Sequence, residues 1–250
     1  MRVDIALLPP RESPTAETCL VVDVLRATSV MAVLFGRGIA AVYPAATIED
    51  GRALRARLSG EPGGAVPMLC GEVDALPPVG YDFGNSPGEF ARMDALPAHR
   101  AVVATTNGTP ALLGCARAPL VIAAAPLNAG AATRLALAAG HDVLVVCAGT
   151  AGLRSDDDRL AAGLLVERLV AAGAEPTAQA ASALADYRAV AAEFAGALRA
   201  TGHGRRLIAR GFDADIELCA QADRYDRAGT LRFDDGIAVL RPEHEGRQER

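Results

Sequence analysis

Short runs of apolar residues alternate with longer amphipathic stretches along most of this 250-residue chain. The run T-C-L-V-V-D-V-L at 18–25 is apolar almost throughout, which is typical of a strand buried on both faces of a sheet. The pattern predicts strands at 3–8, 18–25, 39–43, 67–70, 100–105, 120–124 and 141–147, and a terminal hairpin at 231–233 and 237–240.

The stretches between these strands have helical character. Thr47 with Asp50, Ser86 with Pro87, and Asn128 are candidate helix starts. Helices are predicted at 27–35, 48–58, from about 109, and at 129–139, 156–172, 177–200, 205–210 and 213–222, with a loop at 61–64. This alternation predicts the α/β class, with three α/β/α layers and a largely parallel or mixed central sheet. A single domain is expected over residues 1–240, followed by a polar tail at 241–250.

Composition narrows the classes of partner. The net charge is −5, aromatic residues make up 4%, and no basic stripe is visible, so a nucleic-acid partner is not expected. Five Cys without a C-x-x-C pair indicate buried thiols in a reducing compartment. The chain shows no signal peptide and no apolar run of membrane-spanning length, so a cytoplasmic protein without a membrane partner is predicted. The oligomeric state is left open, with a homodimer as one option.

All 25 basic residues are Arg, and this excludes several kinds of site. Without Lys, neither a Schiff-base mechanism nor a G-x-x-x-x-G-K-[ST] phosphate loop can be built. Asp23 lacks the second acid of a D-x-D phosphatase motif, no G-x-S-x-G occurs, and the four His lack metal-ligand spacing. Phosphate charge must therefore be met by Arg, a metal ion or backbone N–H groups.

Small and polar residues follow three of the predicted strands. They form the segments Asp23-Val-Leu-Arg-Ala-Thr28, Thr105-Thr-Asn-Gly-Thr109 and Cys147-Ala-Gly-Thr150. Ligands of open parallel sheets bind beyond the carboxyl ends of the strands, and small residues there let backbone N–H groups approach an anion. The sequence thus predicts an anion site at this edge of the sheet.

Each segment also has a purely structural interpretation. Thr105–Thr109 is either an anion cradle or a helix cap with a turn glycine. Asp23 can hold Mg²⁺ or act as nucleophile or base, and Arg26 can bind phosphate, or the two form a local ion pair. Ser155 with Asp158 fits a capping box, although three adjacent acids exceed what a cap needs. The long loop at 71–87 carries acids that can fold over the site, and the charges at 213–223 favour a solvated helix face.

Six motifs in order resemble the 2-phosphosulfolactate phosphatase family from about residue 3 to 240: the three segments above, Gly71-Glu72, Asp82-Phe-Gly-Asn-Ser-Pro87, and Leu127-Asn-Ala129. The third segment is accompanied by Asp158 and Gly163 downstream. The resemblance implies an α/β/α fold and Mg²⁺-dependent hydrolysis of 2-phosphosulfolactate, a small phosphate ester, to 3-sulfolactate and phosphate, a step of coenzyme M synthesis. Thr28-Ser29 and the stretch 151–154 depart from the family pattern and bear on the substrate rather than on the reaction class.

On this hypothesis, the catalytic residues are Asp23, Arg26 and Asn107, and the metal ligands are Asp23, Glu72 and Asp158. Arg11 and Arg26 are the candidates for binding the carboxylate and the sulfonate. The remaining substrate-binding candidates are Thr28, Asn85, Thr105, Thr106, Gly108, Thr109, Asn128, Gly149 and Thr150. Attack by water and attack by an acidic side chain both remain open. The alternatives are a phosphatase of another phosphorylated 2-hydroxy acid and a non-catalytic binder of a small phosphorylated anion.

Overall fold

The computed structural model describes residues 1–60 and 65–243, so the loop predicted at 61–64 lies outside the described residues. The strands are β1 (Arg2–Ala6), β2 (Thr18–Val22), β3 (Ala41–Ala45), β4 (Met68–Gly71), β5 (Arg100–Ala104), β6 (Leu120–Ala124), β7 (Val143–Cys147), β8 (Glu175–Pro176), β9 (Ala228–Asp234) and β10 (Ile237–Glu243). The helices are α1 (Ala27–Gly36), α2 (Ile48–Ser59), α3 (Pro87–Arg92), α4 (Gly108–Gly114), α5 (Ala129–Ala139), α6 (Asp156–Ala171), α7 (Ala178–Val190), α8 (Phe194–Ala200), α9 (Gly202–Ala209) and α10 (Asp213–Cys219).

The described strands form one mixed sheet in the order β4-β5-β3-β10-β9-β6-β2-β7-β1-β8. The β9–β10 hairpin lies in the middle and pairs antiparallel with β3 on one side and β6 on the other. The pairs outside the hairpin are parallel. The C-terminal hairpin therefore joins two parallel half-sheets into one.

Helices cover both faces of the sheet, which confirms the predicted three-layer α/β/α fold. All five residues of β2 are buried, as its apolar run predicts. Small residues let the layers approach closely: a Cβ on Gly163 would lie 2.3 Å from the carbonyl oxygen of Ala183, so α6 and α7 are in near-backbone contact there. The five Cys are buried and free.

The single helix predicted at 177–200 is wrong. A 3₁₀ turn at Ala191–Glu193 separates α7 from α8. The turn lets Phe194 pack edge-on against Tyr187, with ring centroids 5.5 Å apart, while Leu198 is fully buried. Burial of these side chains outweighs the helix propensity of the Ala-rich stretch, which is why the pattern did not show the break.

The described chain ends in a strand rather than in the start of a tail. β10 continues to Glu243, whose side chain accepts a hydrogen bond from the Thr230 hydroxyl at 3.0 Å. Three residues of the predicted tail therefore belong to the sheet, and 244–250 lie outside the described residues. Across residues 1–60 and 65–243, every helix is too short or too polar to span a bilayer.

Candidate active site

The carboxyl ends of β2, β4, β5 and β7 open onto a cleft of about 160 Å³. The segments that follow these strands form its floor, and residues of the helical layer close it from above. The lining residues are Asp23, Leu25, Arg26, Glu72, Asp74, Ala75, Asn85, Thr106, Asn107, Thr150, Ala151, His203, Arg206, Leu207 and Arg210.

Asp23 follows β2 and is 7% exposed. Its Oδ1 accepts a hydrogen bond from the Ala27 N–H at 3.2 Å, which fixes the carboxylate against the first turn of α1. Burial raises the pKa of Asp23 to about 6, the positive charge of His203 and the Ala27 hydrogen bond oppose the rise, and the charges of Glu72 and Asp157 add to it. The cleft thus holds a carboxylate that is costly to ionise without a cation.

Thr28 is fully buried and does not line the cleft. Its hydroxyl donates to the Asp23 carbonyl at 2.9 Å and accepts from the Asp23 N–H at 3.0 Å. Thr28 therefore shapes the turn that presents Asp23, rather than contacting a substrate.

The residues of the predicted anion cradle, Thr105–Thr109, have two different roles. Thr105 and Thr109 are buried, and each hydroxyl accepts a hydrogen bond from the other residue's N–H, at 3.1 and 3.0 Å. These two residues close the turn, while Thr106 and Asn107 line the cleft. A Cβ on Gly108 would lie 2.6 Å from Asp23 Oδ2, so only glycine allows this turn to pass so close to the carboxylate.

The loop at 71–87 folds over the cleft, as its acids suggested. Glu72 accepts hydrogen bonds from the N–H groups of Thr106 at 3.1 Å and Ala75 at 2.9 Å. Asn85 is 3% exposed, and its Oδ1 has no hydrogen-bond partner among the described residues. A buried amide oxygen without a partner is costly, which makes Asn85 a residue to explain at this cleft.

Asp158 is placed differently from Asp23 and Glu72. Its two oxygens accept hydrogen bonds from the N–H groups of Val24 at 2.9 Å and Gly149 at 3.0 Å. Burial, with the charges of Asp157 and Asp23, raises the pKa of Asp158, and the two N–H donors oppose the rise. Asp158 and Gly149 do not line the cleft; they hold the ends of β2 and β7 together, and the capping box predicted for Ser155 and Asp158 is wrong.

Arg26 is 3% exposed and forms a buried ion pair. Its guanidinium donates to Asp215 Oδ2 at 2.8 Å and to the Ala75 carbonyl at 2.9 Å, and it stacks 4.2 Å from the Phe212 ring centroid. The solvated face predicted at 213–223 is therefore wrong for Asp215, which is 3% exposed, although Asp213 stays half exposed. The partner of Arg26 lies 189 residues away, which no local pattern could reveal.

Two predicted substrate-binding residues lie away from the cleft. Arg11 is exposed and is not among the lining residues. Asn128 is 1% exposed and uses its side chain to accept from the Ala125 N–H at 2.8 Å and donate to the Ala123 carbonyl at 3.1 Å. Asn128 thus holds the chain that follows β6, and it does not cap α5 with its side chain. Thr150 does line the cleft.

Three basic residues of the cleft were not predicted as site residues: His203 and Arg206 on α9, and Arg210 directly after it. Their spacing of three and then four residues is that of one helix face, a signal present in the sequence. His203 Nδ1 lies 3.3 Å from Asp157 Oδ2, and Asp157 also accepts the Ser155 hydroxyl at 2.5 Å. That spacing identifies the helix face, but no local pattern shows that α9 folds over the strand ends.

Comparison with known proteins agrees with this geometry. The family model described as 2-phosphosulpholactate phosphatase matches residues 6–232. A probable 2-phosphosulfolactate phosphatase of Thermotoga petrophila is 36% identical over 241 residues, covering 96% of this chain and 98% of the relative. Proteins with the same description from Deinococcus radiodurans and Thermus thermophilus are 37% and 36% identical, covering 88% and 96% of this chain and 89% and 98% of their own lengths. The chain belongs to the 2-phosphosulpholactate phosphatase family.

Proposed function

We propose that this cleft hydrolyses 2-phosphosulfolactate to 3-sulfolactate and phosphate, with Mg²⁺ bound. Family membership supports the reaction class. The observation that carries the proposal is the meeting of polar groups from Thr106, Asn107 and Thr150 with the carboxylates of Asp23 and Glu72 in one cleft. Carboxylates repel a phosphate unless a cation lies between them, so this site suits metal-assisted phosphoryl transfer better than simple anion binding.

The donor atoms in the cleft fit Mg²⁺. This ion prefers oxygen ligands and usually takes one or two carboxylates, with water and substrate phosphate completing its shell. Asp23 and Glu72 would hold it, and Asn85, whose buried Oδ1 has no partner among the described residues, lines the same cleft. Asp158 does not fit, because it is 2% exposed and does not line the cleft. Within the described residues no group of three or more His, Cys, Asp or Glu is placed to hold a metal.

The bound ion would neutralise charge on the transferred phosphoryl group. The residues around it have separate tasks. Thr106, Asn107 and Thr150 bind and orient the phosphate, while Asp23 and Glu72 fix the cation. Arg26 acts through others: its bonds to Asp215 and the Ala75 carbonyl hold the loop at 71–87 against the helical layer.

His203 is the proposed proton donor to the leaving oxygen. Asp157, 2% exposed, engages Nδ1, which leaves Nε2 as the ring nitrogen for the cleft. Cleavage of the phosphorus–oxygen bond leaves an alkoxide on the 2-hydroxy acid, a poor leaving group until it receives a proton. Water supplies the new oxygen on phosphorus, and its proton is released to solvent.

His203→Gln is expected to lower kcat for 2-phosphosulfolactate by about 100-fold, the usual size of a general-acid contribution. Hydrolysis of p-nitrophenyl phosphate should change by less than about threefold, because nitrophenolate leaves without protonation. His99→Gln, at an exposed position, is the matched control. An equal loss on both esters would show that His203 serves binding or packing rather than proton transfer.

Removal of Mg²⁺ tests whether the reaction requires the metal. Phosphate release from 2-phosphosulfolactate should fall at least about 100-fold in EDTA and return when Mg²⁺ is added in excess. Undiminished turnover in EDTA would remove the metal from the proposal and leave Asp23 and Glu72 without their assigned role.

We also propose that this step belongs to coenzyme M synthesis, as the family resemblance implies, and that it takes place in the cytoplasm, as five Cys without a C-x-x-C pair favour. The coenzyme M content of cells lacking the protein tests this assignment, since it should fall and recover with the restored gene. Unchanged content would assign the phosphatase to other metabolism.

A further inference from the structure

Three arginines line the cleft, and they differ in what neutralises them. Arg26 has a buried carboxylate partner, Asp215, and a carbonyl partner, Ala75. Among the described residues, neither Arg206 nor Arg210 has a side-chain hydrogen bond or an ion pair. Both residues are exposed where they line the cleft, so solvent meets their charge and, among the described residues, no protein group is paired with it.

The packing of α9 holds this pair over the cleft. Thr201 caps the helix by accepting the Gly204 N–H at 2.9 Å, and a Cβ on Gly204 would lie 2.0 Å from the Leu198 carbonyl oxygen, so α9 is pressed against α8. Leu207 is fully buried between the two arginine positions. Anchoring by Leu207 and Gly204 fixes which face of α9 meets the cleft, so both arginines lie on the wall supplied by the helical layer.

The charges of the cleft are divided between elements. Asp23, Glu72 and Asp74 follow strands of the sheet, whereas Arg206 and Arg210 come from the helical layer. If the phosphate is bound beside the carboxylates and their cation, as the proposed function requires, the arginines are left for another anionic group. A guanidinium matches the paired oxygens of a carboxylate or sulfonate through two parallel N–H bonds.

We propose that Arg206 and Arg210 bind the acidic groups that stay on the product, the carboxylate or the sulfonate. They would thereby select phosphate esters that carry an acid besides the phosphate. This inference rests on the proposed function. Arg206 and Arg210 take the role that the sequence analysis assigned to Arg11 and Arg26. Arg11 lies outside the cleft, and Arg26 is already paired with Asp215.

The test compares two esters in Arg206→Gln, Arg210→Gln and the double variant. For 2-phosphosulfolactate, KM should rise about 10-fold in each single variant and about 100-fold in the double variant, in line with loss of charged hydrogen bonds. For p-nitrophenyl phosphate, which has no second acid, kcat/KM should stay within about threefold. Arg205→Gln is the control, since Arg205 is exposed on the same helix and donates to the Ala200 carbonyl. Thermal unfolding confirms that each variant is folded.

Calorimetric binding of 3-sulfolactate and of inorganic phosphate separates this inference from the proposed function. Arginine-dependent binding of 3-sulfolactate, with phosphate binding unchanged, supports the inference even if the wild-type protein fails to hydrolyse 2-phosphosulfolactate. Normal hydrolysis by all variants overturns the inference and leaves the function standing. Equal losses on both esters also overturn it, because the arginines would then act on the transferred phosphate or on the fold.

Discussion

Replacing Asp23 with Asn is expected to lower kcat by about three orders of magnitude, the effect of losing a metal-binding carboxylate at the reacting phosphate. The change keeps the size of the side chain and the Oδ1 acceptor for the Ala27 N–H. It removes the charge that, with Glu72, would hold the cation. The fold should therefore persist while turnover is lost.

The same substitution is expected to stabilise the protein at neutral pH when no metal is present. The pKa of Asp23 rises from an ordinary value of 3.8 to about 6 on folding. Below about pH 3 the carboxyl is mostly protonated in both states, so it carries almost no penalty. Between its ordinary pKa and the raised pKa, the unfolded state ionises while the folded state stays protonated, so the penalty grows; above the raised pKa it levels off at roughly 3 kcal/mol. Asn never ionises, so Asp23→Asn should recover a similar amount at pH 7 and almost nothing at about pH 3.

Urea unfolding in EDTA at about pH 3 and at pH 7 measures the free energy of unfolding where the charge has almost no cost and where its cost is complete. Asp235→Asn, the same chemical change at an exposed hairpin position, should leave activity and stability unchanged. A variant of Asp23 that retained activity would contradict its role at the metal. An Asp23→Asn protein that was less stable than the wild type at pH 7 would contradict the claim that the buried charge destabilises the fold.

Asp215→Asn should destabilise the protein by about 3–5 kcal/mol, because it leaves the buried Arg26 charge uncompensated. Asn can retain an oxygen for the Ser86 hydroxyl and the Gly88 N–H, which meet Oδ1 at 2.8 and 3.0 Å. Its amide nitrogen would then replace Oδ2 and face the Arg26 guanidinium, donor against donor. Loss of the ion pair would also loosen the loop at 71–87, which Arg26 holds through the Ala75 carbonyl.

Asp213→Asn is the matched control on the same helix. Asp213 is half exposed and pairs with Arg199, so its loss should cost at most about 1 kcal/mol. Combining Asp215→Asn with Arg26→Gln should cost less than the sum of the two single changes, because neither charge is then left alone. A cost for Asp215→Asn no larger than that of the control would show that the pair contributes little.

Local sequence patterns predicted most of the fold. The strand at 120–124 and the helix at 129–139 have the predicted bounds, and Thr47 and Ser86 cap their helices as expected. The position of the β9–β10 hairpin in the sheet could not be predicted. Its alternation identifies two paired strands, but their place between β3 and β6 depends on long-range pairing that no local pattern encodes.

The candidate site, too, could be predicted only in part from local patterns. Residues directly after strands were predicted to meet, and Asp23, Thr106, Asn107 and Thr150 do line one cleft. Polar side chains that serve the backbone, such as Thr28 and Asn128, look the same in sequence as residues that contact a ligand. His203 and the two arginines were missed because their role depends on how α9 packs over the sheet edge, which is a tertiary feature.

The decisive measurement is the ratio of kcat/KM for 2-phosphosulfolactate to that for 2-phospholactate, in Mg²⁺. The two esters share a phosphate, a carboxylate and a secondary leaving oxygen, and differ only in the sulfonate. We expect a ratio on the order of 100 or more, since 2-phosphosulfolactate offers Arg206 and Arg210 both a carboxylate and a sulfonate, whereas 2-phospholactate offers them a carboxylate alone. Equal turnover would contradict the sulfonate specificity, and phosphate release from neither ester would contradict the assignment of this cleft as a phosphatase site.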